Sequence, residues 1–194
     1  MYVIFEGIDT CGKSTQVDFF AQRHTHVLAT KEPGGTEAGK KIRSMLLDGE
    51  DKLSFNAELF LFLADRALHY EQIVKNAREN NMVISDRGFI SGIAYACANN
   101  LETDKDFLIA LNHYALCHDF PDKIVLFITN EVILKERLSG KKHDVIEQRG
   151  LSYLLQIQAI MQEILQKLSI PYLEVDASLG REDIYTQIED FLYD

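Results

Sequence analysis

The sequence predicts an α/β fold, a doubly wound five-stranded parallel sheet flanked by helices. Short apolar runs at residues 2–5, 26–30, 82–85, 123–129 and 171–175 alternate with stretches of helical periodicity. The runs lack a regularly polar alternate face, as strands covered on both sides must. The first run is followed directly by a glycine loop and then a helix, the opening unit of many such sheets.

Taken in order, Tyr2-Val3-Ile4-Phe5 gives the first strand, and Gly7-Ile8-Asp9-Thr10-Cys11-Gly12-Lys13-Ser14 follows it. This matches G-x-x-x-x-G-K-[ST], the loop of P-loop NTPases. Glycines let backbone N–H groups turn onto phosphate oxygens, and the helix N-terminus adds a favourable potential for an anion. The first helix covers 15–24, with Val17, Phe20 and Ala21 at helical spacing. After the second strand, Lys31-Glu32-Pro33-Gly34-Gly35-Thr36 interrupts regular structure. Thr36 caps a helix to about 47, with Ile42, Met45 and Leu46 apolar and Arg43 on the polar side. Residues 48–51 form a polar turn. Residues 54–80 read as one long helix, whose all-apolar part at 59–64 is expected to be buried. Asp65, Arg66 and His69 interrupt that part. Asp86-Arg87-Gly88 ends the third strand. Helices follow at about 90–99, 105–117 and 131–138, then a long one to 168 after a basic loop at 139–144. Ile184, Ile188, Phe191 and Leu192 mark the last helix.

The 194 residues suit one domain, without internal repeats or low-complexity tracts. The formal net charge of −10 argues against a general nucleic-acid or membrane-surface binder, since phosphate-backbone affinity rests on many Lys and Arg. The few cations of an acidic phosphate-handling chain must then concentrate at its site. Cys11, Cys97 and Cys117 form no C-x-x-C pair, and their odd number argues against a disulfide framework. Cys11 is expected to be exposed without ligand, which suits a reducing compartment. No secretory pattern precedes the first strand and no apolar run approaches the ~20 residues of a membrane span. The chain therefore reads as cytoplasmic, with no membrane and no nucleic-acid partner.

The loops after strands one to three bring Asp9, Glu32 and Asp86-Arg87 to one end of the sheet, where ligands gather. Lys13 is expected to reach the β- and γ-phosphates of a nucleoside triphosphate, and Ser14 and Asp86 to hold Mg2+. Arg87 offers a planar fork for a second phosphate; the alternatives are a helix N-cap for Asp86 and a surface ion pair for Arg87. Phe62 and Arg66, four apart, make a base pocket or else belong to a core. Lys141, Lys142 and Arg149 flank a glycine loop that is either a lid carrying catalytic cations or a solvated basic turn. The six histidines show no metal-ligand spacing, and His69 reads as a helix-packing residue. No D-x-x-G follows the second strand and no N-K-x-D precedes the last helices, which counts against a GTPase switch.

The residues also match a family. Phe5-Glu6-Gly7-Ile8-Asp9 leading into the loop, Gln16 behind it, Glu32-Pro33-Gly34-Gly35-Thr36, Ile42-Arg43 with Leu46-Leu47, Phe62…Arg66…His69, and Asp86-Arg87…Ser91…Ala94-Tyr95 together resemble bacterial thymidylate kinases from end to end. The resemblance implies a single kinase domain over 1–194 with a short helical-hairpin lid at about 139–150. It implies transfer of the ATP γ-phosphoryl group to dTMP, with Mg2+, in a homodimer. It puts Gly7, Asp9, Thr10, Cys11, Gly12, Lys13, Ser14, Thr15 and Arg137 on ATP, with Arg137 packing on adenine beside Asp176-Ala177-Ser178. It puts Asp9, Glu32, Arg43, Phe62, Arg66, Arg87, Ser91 and Tyr95 on dTMP. Arg43 and Arg87 would hold its phosphate, Phe62 would stack on thymine, Arg66 would bond its carbonyl edge, and Tyr95 would crowd the sugar. The chain departs from the family at Lys31, where arginine is usual, and at Ala96, where a polar residue helps read thymine. Asp144-Val145-Ile146-Glu147 lacks the lid arginine, and Thr10 and Cys11 do not replace it. The transition-state cation then falls to Lys141, Lys142 or Arg149, acting with Lys13 and Arg87. Other readings are a different P-loop nucleoside or nucleotide kinase, or a nucleotide switch without catalysis.

Overall fold

The computed structural model describes residues 1–48, 53–100, 102–138 and 150–194. Among these, β1 (Tyr2–Gly7), β2 (Val27–Lys31), β3 (Met82–Asp86), β4 (Lys123–Ile128) and β5 (Tyr172–Asp176) form one parallel sheet, ordered β2-β3-β1-β4-β5. Val3 pairs with Lys123 and Ile84 on its two sides, so β1 is central. The helices are α1 (Lys13–Arg23), α2 (Glu37–Leu47), α3 (Phe55–His69), α5 (Phe89–Asn99), α6 (Lys105–Ala115), α7 (Glu131–Leu138), α8 (Leu151–Lys167) and α9 (Arg181–Tyr193). A π-helical turn (Tyr70–Val74) and a last turn, α4 (Lys75–Ala77), extend α3.

Alternation along β1 explains the two layers. Tyr2 and Ile4 point to one face and join Val83, Ile124 and Leu126 beneath Ile90, Leu154, Ile157 and Met161 of α5 and α8. Val3 and Phe5 point to the other and join Ile84, Val125 and Phe127 beneath Phe20, Ile184 and Ile188 of α1 and α9. The ring of Phe5 meets Phe20 at 6.0 Å edge-on and Phe127 at 5.6 Å. Thr36 caps α2 as expected, its side chain accepting from the Gly39 N–H. From β1 the chain runs outward first to β2 and β3, then back past β1 to β4 and β5. The crevice where the order reverses lies beyond the carboxyl end of β1, and the glycine loop fills that position.

Burial departs from expectation in three places. Residues 59–64 are not buried: Phe60 is 60% exposed, while the polar interruptions Asp65, Arg66 and His69 are 1%, 3% and 0% exposed. The helix turns these polar residues inward to hold the loop after β2, which rotates its apolar face outward. On α2, Met45 and Leu47 are likewise exposed. The edge strand β2 leaves Leu28, Ala29 and Lys31 open, so the sheet is not covered along that margin. The lid expected at about 139–150 and most of the polar turn at 48–51 lie outside the described residues. Among the described residues no helix is long and apolar enough to cross a membrane.

Ile84 is fully buried in the α1/α9 layer. Replacing Ile84 by Ala should lower the unfolding free energy by about 2–5 kcal/mol through lost burial and a residual cavity. In urea the midpoint falls with the slope unchanged.

Candidate active site

The loop after β1 is built for an anion. Gly7 has φ 142° and Gly12 φ 96°, both in the region L side chains avoid. A Cβ at Gly7 would lie 2.7 Å from the carbonyl oxygen of Phe127, so the loop can lie flat on β4 only with glycine there. Gly12 stands at the N-cap of α1 without a side-chain bond, which leaves the first-turn N–H groups beside the exposed Ser14 and Thr15 available. Lys13 is folded back, its Nζ donating to the Ile8 carbonyl at 2.7 Å and lying 3.5 Å from Cys11 Sγ. Cys11 is 2% exposed, against the expectation of an open thiol. Its Sγ donates to the same Ile8 carbonyl at 3.0 Å and is tucked under the loop.

Ser14 Oγ donates to Asp86 Oδ2, so the hydroxyl and carboxylate expected to hold a cation are already together. Asp86 is not an N-cap. Gly88 takes that position in α5, and the first N–H groups of the helix, those of Ile90 and Ser91, are accepted by Glu6 Oε1 at 3.1 and 3.2 Å. Beyond this hydroxyl–carboxylate pair opens a cleft of about 460 Å3, with Val17, Asp18, Lys31, Gly35 and Lys40 in its walls.

Arg87 is the junction. It has φ 72°, and this left-handed turn after β3 aims its guanidinium back over β1. Its Nη2 bonds Asp9 Oδ1 at 2.5 Å; its Nη1 bonds the Gly7 carbonyl at 2.7 Å and Ser91 Oγ at 3.0 Å. The Tyr95 hydroxyl donates to Asp9 Oδ2 at 3.1 Å. Burial alone would raise the Asp9 carboxyl, but the charges of Arg87 and Lys13 outweigh it and hold the group below the usual range. Burial likewise works against the Arg87 charge, and Asp9 reverses this. Glu6, fully buried, anchors the arrangement: its Oε2 accepts from the Ser91 hydroxyl, which in turn accepts from Arg87. Burial, the largest effect, pushes the Glu6 carboxyl upward.

A second arginine is set deeper. Arg66 Nε donates to Glu32 Oε2 at 2.9 Å and Nη1 donates to Asn112 Oδ1. The other Glu32 oxygen meets His69 Nδ1 at 2.8 Å, and His69 Nε2 faces Thr30 Oγ1 at 2.8 Å. Glu32 is thus turned onto Arg66 and His69 rather than toward open space. Its burial opposes ionisation most strongly, yet the Arg66 charge and the His69 bond prevail and keep its carboxyl below the usual range. Next to Arg66 a narrow slot between α3 and α5 is lined by Phe62, Gly92, Tyr95 and Ala96. Arg43 stands apart at the loop after β2, half-buried, with Nη1 on the Pro33 carbonyl at 2.9 Å. Arg137 reaches across from α7, its Nη1 on the Thr10 carbonyl at 3.0 Å and its Nη2 on the Ala177 carbonyl. Lys141, Lys142 and Arg149 lie outside the described residues.

Sequence reasoning brought Asp9, Glu32 and Asp86-Arg87 together beside the glycine loop; the structure joins Asp9 to Arg87 and Asp86 to Ser14, and turns Glu32 onto Arg66 and His69. That reasoning assigned no role to Glu6 or Asn112. Glu6 carried a signal, a lone carboxylate inside an apolar strand, which must find buried partners. Asn112 carried none, because a polar residue on an amphipathic helix normally faces water.

A phosphate loop at the switch point of the sheet, with guanidinium groups and an aromatic slot beside it, defines a nucleotide phosphotransferase of the P-loop class. The family model described as Thymidylate kinase matches residues 5–188. A Thymidylate kinase of Sulfurovum sp. (strain NBC37-1) is 50% identical over 192 residues, covering 99% of both chains. One of Campylobacter curvus (strain 525.92) is 48% identical over 193 residues, again covering 99% of both. One of Aliarcobacter butzleri (strain RM4018) is 50% identical over 192 residues, covering 99% of this chain and 98% of its own. The chain belongs to the thymidylate kinase family.

Glu32→Gln should destabilise the fold by about 3–5 kcal/mol at neutral pH, because it leaves the Arg66 charge buried and uncompensated. Glu32 has a depressed folded-state pKa, so its contribution is complete above the ordinary glutamate range and is lost as pH falls through the lower folded value. Denaturant titrations at several pH values should show the gap between wild type and variant closing toward acid.

Proposed function

We propose that this chain transfers the γ-phosphoryl group of ATP to dTMP, giving dTDP and ADP, and that it does so in the cytoplasm as a single kinase domain closed by a lid at about 139–150. The observation that carries the reading is the placement of Arg87. It is bonded both to the Gly7 carbonyl of the donor loop and to Asp9, so a phosphate held by it faces a phosphate cradled by Lys13. Membership of the thymidylate kinase family supplies the acceptor.

In this reading the first-turn N–H groups of α1, with Gly12, Ser14 and Thr15, receive the triphosphate, and Lys13 swings from the Ile8 carbonyl onto it. Ser14 and Asp86 supply one hydroxyl and one carboxylate oxygen, a donor set that suits Mg2+ with phosphate and water completing the shell. When bound, Mg2+ neutralises charge on the phosphates. Arg137 offers its flat face to adenine beside Ala177. Arg87 and Arg43 take the dTMP phosphate, Phe62 stacks on the base, and Arg66 donates to its carbonyl edge while Glu32 and Asn112 hold the guanidinium still. Tyr95, tied to Asp9, limits room at the sugar. The acceptor is a phosphate oxygen already ionised at neutral pH, so no general base is required. Catalysis is positioning and charge neutralisation. Lys141, Lys142 or Arg149 would complete the cation shell from the lid. The outward apolar face of α3 around Phe60, with Met45 and Leu47 on neighbouring α2, supports a homodimer.

Coupled ADP release measured across dTMP, dUMP, dGMP, AMP and thymidine tests the proposal. Turnover should require dTMP, and equal turnover with thymidine or AMP would overturn it. Lys13→Ala should abolish transfer while the circular-dichroism spectrum and dTMP binding persist; wild-type turnover in this variant is incompatible with the assignment. Arg66→Ala should raise the KM for dTMP by tenfold or more, roughly the 1.5–3 kcal/mol of a lost hydrogen bond to a charged group, and leave the KM for ATP nearly unchanged.

A further inference from the structure

The C-terminal turn of α6 joins two histidines that sequence spacing keeps apart. The helix closes with Leu116 N–H on the Asn112 carbonyl at 3.0 Å, Cys117 N–H on Tyr114 at 3.0 Å and His118 N–H on His113 at 2.8 Å. To close in this way Cys117 and His118 both adopt left-handed backbone, with φ 52° and 63°. Two consecutive non-glycine residues there are uncommon. The turn folds the His118 ring back onto that of His113. The ring centroids stand 4.8 Å apart at 79°, and the two Nδ1 atoms are 3.3 Å apart. Both rings have neighbours that orient them. His113 lies over Phe120 with centroids 4.6 Å apart, and His118 stands edge-on to Tyr114 at 5.8 Å.

Two imidazole nitrogens at this separation can share a proton or share a third atom. Nitrogens about 2.0–2.1 Å from one zinc ion, at a tetrahedral angle, lie about 3.3–3.4 Å from each other. The pair is therefore already spaced for a shared cation. We propose that His113 and His118 form a two-imidazole site for a borderline transition cation such as Zn2+, Ni2+ or Cu2+, with water in the remaining positions. No third His, Cys, Asp or Glu among the described residues is gathered with the pair. The thiol of Cys117 is turned instead to Glu71, 3.7 Å from its Oε1. His118 is exposed, so a cation can enter from solvent. Imidazole donors favour zinc, nickel and copper, whereas Mg2+ takes oxygen donors. The site is thus chemically separate from the Ser14–Asp86 pair, and its occupancy does not compete with the cation of phosphoryl transfer. It staples the turn directly after Asn112, the residue that holds Arg66.

Calorimetric titration of the full chain with ZnCl2 or NiCl2, in a nucleotide-free buffer saturated with MgCl2, tests the proposal. The expected result is one equivalent bound per chain through the pair, with a rise in thermal midpoint that CaCl2 does not give. His113→Gln and His118→Asn should each weaken binding by at least the roughly 10–100-fold that loss of a supporting residue costs at metal sites. Asparagine is chosen because it tolerates left-handed backbone, so the turn survives. Unchanged circular dichroism and unchanged ADP release with MgCl2 but no added zinc, nickel or copper verify that survival. Cys117→Ser should bind as wild type does. With CuCl2, the paramagnetic resonance spectrum should carry hyperfine structure from two nitrogens. Absence of one-equivalent binding, wild-type affinity in both histidine variants, loss of binding in Cys117→Ser alone, or an all-oxygen copper spectrum would overturn the site and leave the two rings as a hydrogen-bonded pair.

Discussion

The ion pair between Arg87 and Asp9 is the constraint around which the site is arranged. A guanidinium largely withdrawn from water needs a carboxylate and further acceptors, or its desolvation is uncompensated. Its bonds join separate parts of the fold: the Gly7 carbonyl at the end of β1, Asp9 in the loop after it, and Ser91 in α5. The loop after β1 and the start of α5 are therefore fixed to one another through a single side chain. Fully buried Glu6 completes the tie by holding the first turn of α5 from beneath. Asp9 also fixes the orientation of the Arg87 guanidinium through its own bond to it.

The second cluster follows the same logic at greater depth. Arg66 is 3% exposed, and its bonds to Glu32 and Asn112 fix the plane of the fork. His69 and Thr30 then fix Glu32 in turn. In a chain with a net charge of −10, the cations that matter are not left to the surface. Arg66 and Arg87 are each held in one orientation by a matched carboxylate, while Lys13, Arg43 and Arg137 rest on backbone carbonyls. The arrangement also explains the burial pattern of α3, whose inward face is polar because this cluster needs it.

Much of the fold was legible because its signals are local. Each strand is a short apolar run, and Thr36 announces its helix by a bond to an N–H three residues on. The glycine loop is legible for the same reason: its pattern, strand and helix are contiguous. What escaped depends on long-range geometry. Residues 59–64 look like a core helix, and nothing in their own apolarity tells which side the sheet lies on. Asn112 reaches Arg66 from 46 residues away, and a helix carrying one more polar residue looks no different. Cys11 looks exposed in a loop motif, yet the Ile8 carbonyl draws it under. His113 and His118 meet only because two residues enter left-handed backbone, a choice that spacing rules do not foresee.

The resting position of Lys13 has a consequence for selectivity among anions. Its ammonium is bonded to the Ile8 carbonyl at the back of the loop. Any anion must first compensate for that bond, which for a charged donor is about 1.5–3 kcal/mol. An anion that also reaches the N–H groups in the first turn of α1 sets more bonds against that cost. The lysine–carbonyl bond thus favours anions that make several contacts over those that make one.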